Sequence, residues 1–230
     1  MSHYRHTWNS GKAISFPEGK VLCVGQNYKD HLREMNSTPT GEPVLFMKPS
    51  TALVPFGESL IIPKGYEVHH EVELVLLVGE TMNRESGTDL IQKISGFGIG
   101  LDLTLRDLQT KLKKAGLPWE KSKAFDGSAV VSPFVPANEF PNPQKVGLRL
   151  SVNGQVRQNG TTADMIWDIP ALLAHAVQFF TLLPGDLIFT GTPAGVGPLE
   201  SGDSLSVTLA GTYSFSAGVS LELHPAAARP

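Results

Sequence analysis

The stretch His69-His70-Glu71-Val72-Glu73-Leu74-Val75-Leu76-Leu77-Val78-Gly79 says most about how this 230-residue chain folds. From Val72 to Val78 it is apolar except for Glu73, which reads as a strand buried on both faces. Side chains alternate along a strand, so Glu71 and Glu73 project from the same face. Two like charges at the mouth of a buried strand repel each other, and burial adds to the cost. A divalent cation offsets both effects. Exposure at the strand end, or pairing with Arg or Lys, would do so too, and the segment alone leaves these open. His69 shares the parity of the two glutamates. It is a ligand, a neighbour of the ligands or, most commonly for such a residue, a simple hydrogen-bonding histidine.

Working outward, Phe97-Gly98-Ile99-Gly100-Leu101 is a second apolar run, and it ends at Asp102 just before a helical pattern begins. An aspartate there is more often a helix N-cap than a ligand. A third carboxylate at a strand end can nevertheless complete an all-oxygen site. Such a ligand set favours Mg²⁺, Mn²⁺ or Ca²⁺ over zinc. Gly96-Phe97-Gly98-Ile99-Gly100 is not a dinucleotide fingerprint, because it lies inside a strand rather than between a strand and a helix.

Glycine (23) and proline (17) are spread along the whole chain, the pattern of many short strands joined by turns. Strands are expected at 20–24, 44–48, 71–78, 98–101, 147–152, 186–190, 204–209 and 219–223. Helices are expected at 28–35, 104–115 and 170–182, the last opening on Pro170 and stopping before Pro184-Gly185. No repeat or linker divides the chain. The expectation is one mainly-β domain with a few helices (α+β) over 1–230, with 224–230 as a flexible tail.

Apolar residues are 41% of the chain, enough for a sizeable core, and the net charge of −3 is mixed along the sequence. No basic block points to nucleic acid, and no run is long enough to span a membrane. Met1 to Gly11 lacks the apolar stretch of a signal peptide. Cys23, the single cysteine, lies in Val21-Leu22-Cys23-Val24 and reads as a buried small hydrophobe. A cytoplasmic enzyme acting on a small molecule is expected.

Several motifs in combination resemble the fumarylacetoacetate hydrolase family, in its single-domain acylpyruvase branch. They are Gly25-Gln26-Asn27-Tyr28 with His31 and Glu34, His70-Glu71-Val72-Glu73-Leu74, Asp102-Leu103-Thr104-Leu105-Arg106-Asp107-Leu108-Gln109, Lys123-Ala124-Phe125-Asp126, and Gly191-Thr192-Pro193-Ala194-Gly195-Val196-Gly197-Pro198. The resemblance runs from about Lys20 to about Leu209. It implies a β-roll, a homodimer, and a Mg²⁺ or Mn²⁺ ion on Glu71, Glu73 and Asp102, with Ca²⁺ able to take the same oxygen ligands in a crystal.

The resemblance also assigns roles that the residues alone do not. His31 and Glu34 stand three apart in the charged run Lys29–Glu34, which by itself reads as a solvated surface helix. In the family this helix is a lid, and the pair activates water. Few apolar residues are present to pin it, so it is expected to be mobile without ligand. Arg106 and Gln109 would hydrogen-bond a substrate carboxylate, with Thr192 and Asn27 as further substrate contacts. Lys123, one charge among several by sequence alone, would stabilise negative charge on the substrate. The activity implied first is hydrolysis of a C–C bond in acylpyruvates or 2,4-diketo acids. The alternative is decarboxylation or enol–keto tautomerisation of oxaloacetate through the same site. A carboxylate-binding protein without turnover is a third reading, disfavoured by the full set of catalytic residue types.

Overall fold

The computed structural model describes residues 4–38, 40–57, 59–140 and 142–222. The stretch 224–230, expected as a tail, lies outside them. The centre of the fold is the strand Val72–Val78, buried at every position, as its apolar run requires. It pairs antiparallel with Ile94–Asp102 on one side and with Leu187–Phe189 on the other. The sheet continues through Val21–Gly25 to Val44–Lys48 at one edge, and through Ala129–Val131 to Leu53–Pro55 at the other.

A five-stranded sheet covers one face of this layer, in the order Gln155–Thr161, Gly147–Val152, Ser204–Leu209, Tyr213–Leu221, Leu60–Ile62. A small third sheet joins Gly197–Pro198, Val68–His70 and Thr104–Leu105. The strands curl into the expected β-roll. The larger core, including Leu74, Leu76, Ile99, Leu150 and Val207, lies between the two main sheets. The second core lies on the other face and contains Val75, Leu77, Phe134, Phe189 and the free Cys23. Burial pushes that thiol's pKa up, with the charge of Asp102 adding to the effect. Cys23 is therefore the inert hydrophobe expected.

Register positions the chemistry. Val72 faces Leu101 and Glu73 faces Gly100, and the Asp102 amide donates to the Glu71 carbonyl. Residues opposed across an antiparallel pair share a face, so Glu71, Glu73 and Asp102 emerge together. Gly100 is required here, because a Cβ would stand 2.7 Å from the Phe189 ring.

The helices are α1 (Lys29–Glu34), α2 (Arg106–Ala115), α3 (Glu120–Lys123) and α4 (Ile169–Ala176). Helix α2 starts two residues later than expected, since Thr104 and Leu105 pair with His69 and Val68. Its N-cap is Leu105, so Asp102 is not spent on capping. Helix α4 stops at Ala176, well short of 182, because Leu182 is claimed by a backbone bridge to Met82.

Candidate active site

The three carboxylates converge as the strand register dictates. Glu71, Glu73 and Asp102 each present an oxygen within 4.8 Å of the others, and all three are buried. Cations surround them. Lys123 Nζ lies 2.8 Å from Glu71 Oε2 and 2.6 Å from Asp102 Oδ2. Arg106 pairs with Glu71 Oε1. Lys48, fully buried, stands 2.7 Å from Asp102 Oδ1, yet it bonds the carbonyls of Leu103, Lys123 and Ser128. Among the described residues Asp102 Oδ1 receives no hydrogen bond. The Lys48 charge offsets this oxygen electrostatically, while its N–H bonds are directed at the three carbonyls.

Electrostatics separates the three acids. Burial would raise the pKa of Glu71, but Lys123 and Arg106 outweigh it and hold the carboxyl well below the usual range. Burial, then the charges of Asp102 and Glu71, raise that of Glu73, whose main relief is the Gly191 amide donating at 2.7 Å. Burial opposes the charge on Lys123, and its two carboxylate partners more than restore it. Three buried carboxylates converging within 4.8 Å, one of them held high in pKa by its two neighbours, fit a hard divalent cation. His69 is outside the cluster: its Nε2 meets Glu67 at 2.6 Å and its Nδ1 accepts from Arg106 at 3.4 Å.

Helix α1 closes over this cluster. His31, Leu32 and Met35 line the same cavity as the carboxylates, Arg106, Gln109 and Lys123. His31 Nδ1 meets Glu34 Oε2 at 3.1 Å, and among the described residues Nε2 has no hydrogen-bond partner. Glu34 Oε1 accepts from the Gly195 amide at 3.0 Å. The expectation that few residues pin this helix is corrected: Tyr28 and Leu32 are buried and anchor it. Closure leaves about 30 Å³ free inside, room for one or two waters. A 2-oxo acid therefore enters only when the helix or the cavity side chains move.

The loop from Gly191 to Gly197 does more than turn. Its amides hold Glu73 of the carboxylate cluster and Glu34, the partner of His31. Gly195 has φ +98°, and a Cβ there would lie 2.0 Å from the Arg157 carbonyl oxygen, so only glycine fits.

Of the expected substrate contacts, Arg106 and Gln109 face the cavity and bond each other at 2.6 Å, which aims the guanidinium. Thr192 also lines the cavity, but its hydroxyl donates to the Val72 carbonyl at 2.8 Å, so that proton is not free for a carboxylate. Asn27 is a correction. It is fully buried, its amide nitrogen donates to the Trp167 and Thr190 carbonyls, and its oxygen accepts from the Trp167 amide. It fastens the backbone behind the site instead of meeting substrate.

Sequence reasoning missed Lys48 and Gln158. The Gln158 oxygen accepts from His70 and the Val72 amide, and its nitrogen donates to Thr192 and the Pro193 carbonyl. Both residues look like ordinary surface polars in the sequence; no local signal marks them.

Residues 20–220 match the family model for the C-terminal domain of fumarylacetoacetate (FAA) hydrolase. The chain belongs to the fumarylacetoacetate hydrolase family. It is 53% identical over 211 residues to the oxaloacetate tautomerase YcgM of Escherichia coli, covering 91% of this chain and 96% of that protein. It is 41% identical over 209 residues to the human mitochondrial oxaloacetate tautomerase FAHD1, covering 90% and 91%. Among solved structures, a fumarylpyruvate hydrolase from Pseudomonas aeruginosa in complex with Mn²⁺ and pyruvate superposes with a TM-score of 0.88. That pair is 36% identical, and the match covers 96% of this chain and 97% of the other. This family member thus shares near-complete lengths with both tautomerases and a hydrolase. Among its described residues no helix is long and apolar enough to cross a membrane.

Proposed function

We propose that this chain is a divalent-metal-dependent oxaloacetate tautomerase, interconverting the enol and keto forms. The observation that carries the reading is one acid–base dyad, His31–Glu34, sharing a buried cavity with the Lys123 ammonium and three carboxylates. The tautomerase names of its bacterial and mitochondrial relatives support it. Glu71, Glu73 and Asp102 would hold Mg²⁺ or Mn²⁺, which supplies Lewis-acid polarisation of a 2-oxo group.

The chain's own groups account for the rest. Arg106, aimed by Gln109, holds the carboxylate next to the oxo carbon. In the keto-to-enol direction His31 Nε2 takes a proton from C3, and Glu34 stabilises the imidazolium that forms. Lys123 stabilises the charge that develops on the C2 oxygen. The proton held on His31 is then given up to that oxygen, which restores the neutral imidazole, and the reverse sequence returns the keto acid. Closure of α1 keeps bulk water away from the enolate.

A second reading rests on the same dyad. With water in place of the C3 proton, His31 and Glu34 could drive C–C hydrolysis of an acylpyruvate, and the likeness to a fumarylpyruvate hydrolase supports that. Decarboxylation of oxaloacetate needs the electron sink without an attacking water. A homodimer remains part of the proposal, with sedimentation velocity as its check.

The deciding experiment gives purified protein and Mg²⁺ a panel of enol-oxaloacetate, keto-oxaloacetate, acetylpyruvate and fumarylpyruvate. The proposal expects tautomerisation to have the highest kcat/KM. Faster cleavage of either acylpyruvate would reverse the order of the two readings.

A further inference from the structure

Helix α2 turns one side to the cavity. Arg106, Gln109 and Lys113, spaced i, i+3 and i+7, all line it. The first two belong to the end of the site that holds the carboxylates. Lys113 stands about 6 Å beyond Gln109 and about 10 Å beyond Arg106 along the helix axis, and nothing in the proposed chemistry uses it. Its ammonium rests 4.7 Å from the centroid of the Trp119 ring, which leans on Phe46 with centroids 6.2 Å apart. Trp119 and Phe46 line the cavity as well.

Lys113 differs from the other cations of the cavity. Lys48, Arg106 and Lys123 each stand within 4 Å of Glu71 or Asp102 and are engaged there. Among the described residues Lys113 forms no ion pair. Burial, then the nearby charges of Arg106 and Lys123, lower its pKa. The ammonium thus has Arg106 and Lys123 as nearby cations, partly offset by Glu71, and is held by a cation–π contact worth about 0.5–1 kcal/mol at an exposed site. An incoming carboxylate offers it a stronger, charge-assisted partner.

We propose that Lys113 is the specificity residue of this site, receiving the distal carboxylate of the substrate while Trp119 and Phe46 flank the carbon chain. The site then prefers 2-oxo acids that carry a second carboxylate, oxaloacetate among them, over acylpyruvates that end in a neutral group. This rests on the reading of the cavity as a 2-oxo-acid site. Lys113 moves no proton, so its influence falls on KM more than on kcat.

The test is calorimetric binding of malate and lactate to the Mg²⁺-loaded protein. Both offer a 2-hydroxy acid, neither has an oxo group to enolise, and only malate has the distal carboxylate. Wild type binds malate about tenfold or more tightly than lactate, the scale of one charged hydrogen bond. Lys113→Met loses that margin while lactate affinity holds, and Lys113→Arg retains it. In turnover Lys113→Met raises the KM for oxaloacetate. Lys113 sits on the solvent side of the cavity, with part of its side chain exposed and part packed on Trp119, so the variant folds, which its melting temperature checks. Equal loss of malate and lactate affinity in Lys113→Met, or no loss of either, overturns the proposal. Selective loss of malate in a protein that fails to tautomerise oxaloacetate sinks the tautomerase reading and leaves Lys113 its role. Normal tautomerisation with unchanged malate binding in Lys113→Met does the reverse.

Discussion

At the residue scale the site is a balance of buried charges, and Lys123 is its pivot. Its ammonium bridges two acids that are themselves buried. Removing one partner of a buried ion pair typically costs about 3–5 kcal/mol. Lys123→Met is therefore expected to lower the melting temperature of metal-free protein by several degrees, and added Mg²⁺ should recover most of that loss. Turnover should fall by roughly 10²–10³ even with metal present if Lys123 has its proposed place at the enolate oxygen. Melting curves with EDTA and with Mg²⁺, beside rates, check both halves. A variant as stable as wild type in EDTA would contradict the pivot. The three acids were legible because their strand parity and the Asp102 strand end are local features. Lys48 and Gln158 were not, because what distinguishes them is burial created by distant strands. Gln158→Ala should destabilise the fold by at least about 2 kcal/mol, measured in urea, since it leaves the Val72 amide and its other buried partners unbonded.

At the element scale helix α1 and the glycine-rich loop are tied together, because Glu34 both pairs with His31 and accepts from the Gly195 amide. Gly195→Ala should force the loop away from Arg157 and release Glu34. Hydrogen exchange of the Leu32 and Met35 amides should quicken in that variant, and tautomerisation should slow by about tenfold or more. Unchanged protection of these amides would show that the Glu34–Gly195 bond does not hold the helix. Short apolar strands such as Val44–Lys48 were readable to the residue, since flanking turns and periodicity mark them. Gln155–Thr161 was not. Its run of Gln, Arg, Gln and Asn has neither alternation nor β-branched richness, and only pairing with Gly147–Val152 makes it a strand. The start of α2 and the end of α4 shifted for the same reason: tertiary pairing at Thr104–Leu105 and at Leu182 overrode local helical signals.

At the scale of the whole molecule the N-terminal segment, which carried no strand or helix signal, is stitched into the fold. Tyr4 and His6 are buried, His6 Nε2 donates to the Gly185 carbonyl at 3.0 Å, and Tyr4 donates to His6 Nδ1 at 3.1 Å. Burial holds the His6 pKa below its usual 6.5, against weaker raising effects from Gly185, Glu18 and Pro17. As pH falls below about 6.5 the unfolded chain binds a proton that the folded chain resists, so stability declines with acidification. His6→Gln should flatten that part of the urea-stability profile, and an unchanged slope would place the acid sensitivity elsewhere. The proposed activity requires a cation held by the cluster of Glu71, Glu73 and Asp102. The direct measurement is the tautomerisation rate of EDTA-stripped protein during titration with Mn²⁺. Activity should be absent at the start and saturate near one equivalent, with Glu73→Gln needing far more metal. Full activity in the stripped protein would contradict the account.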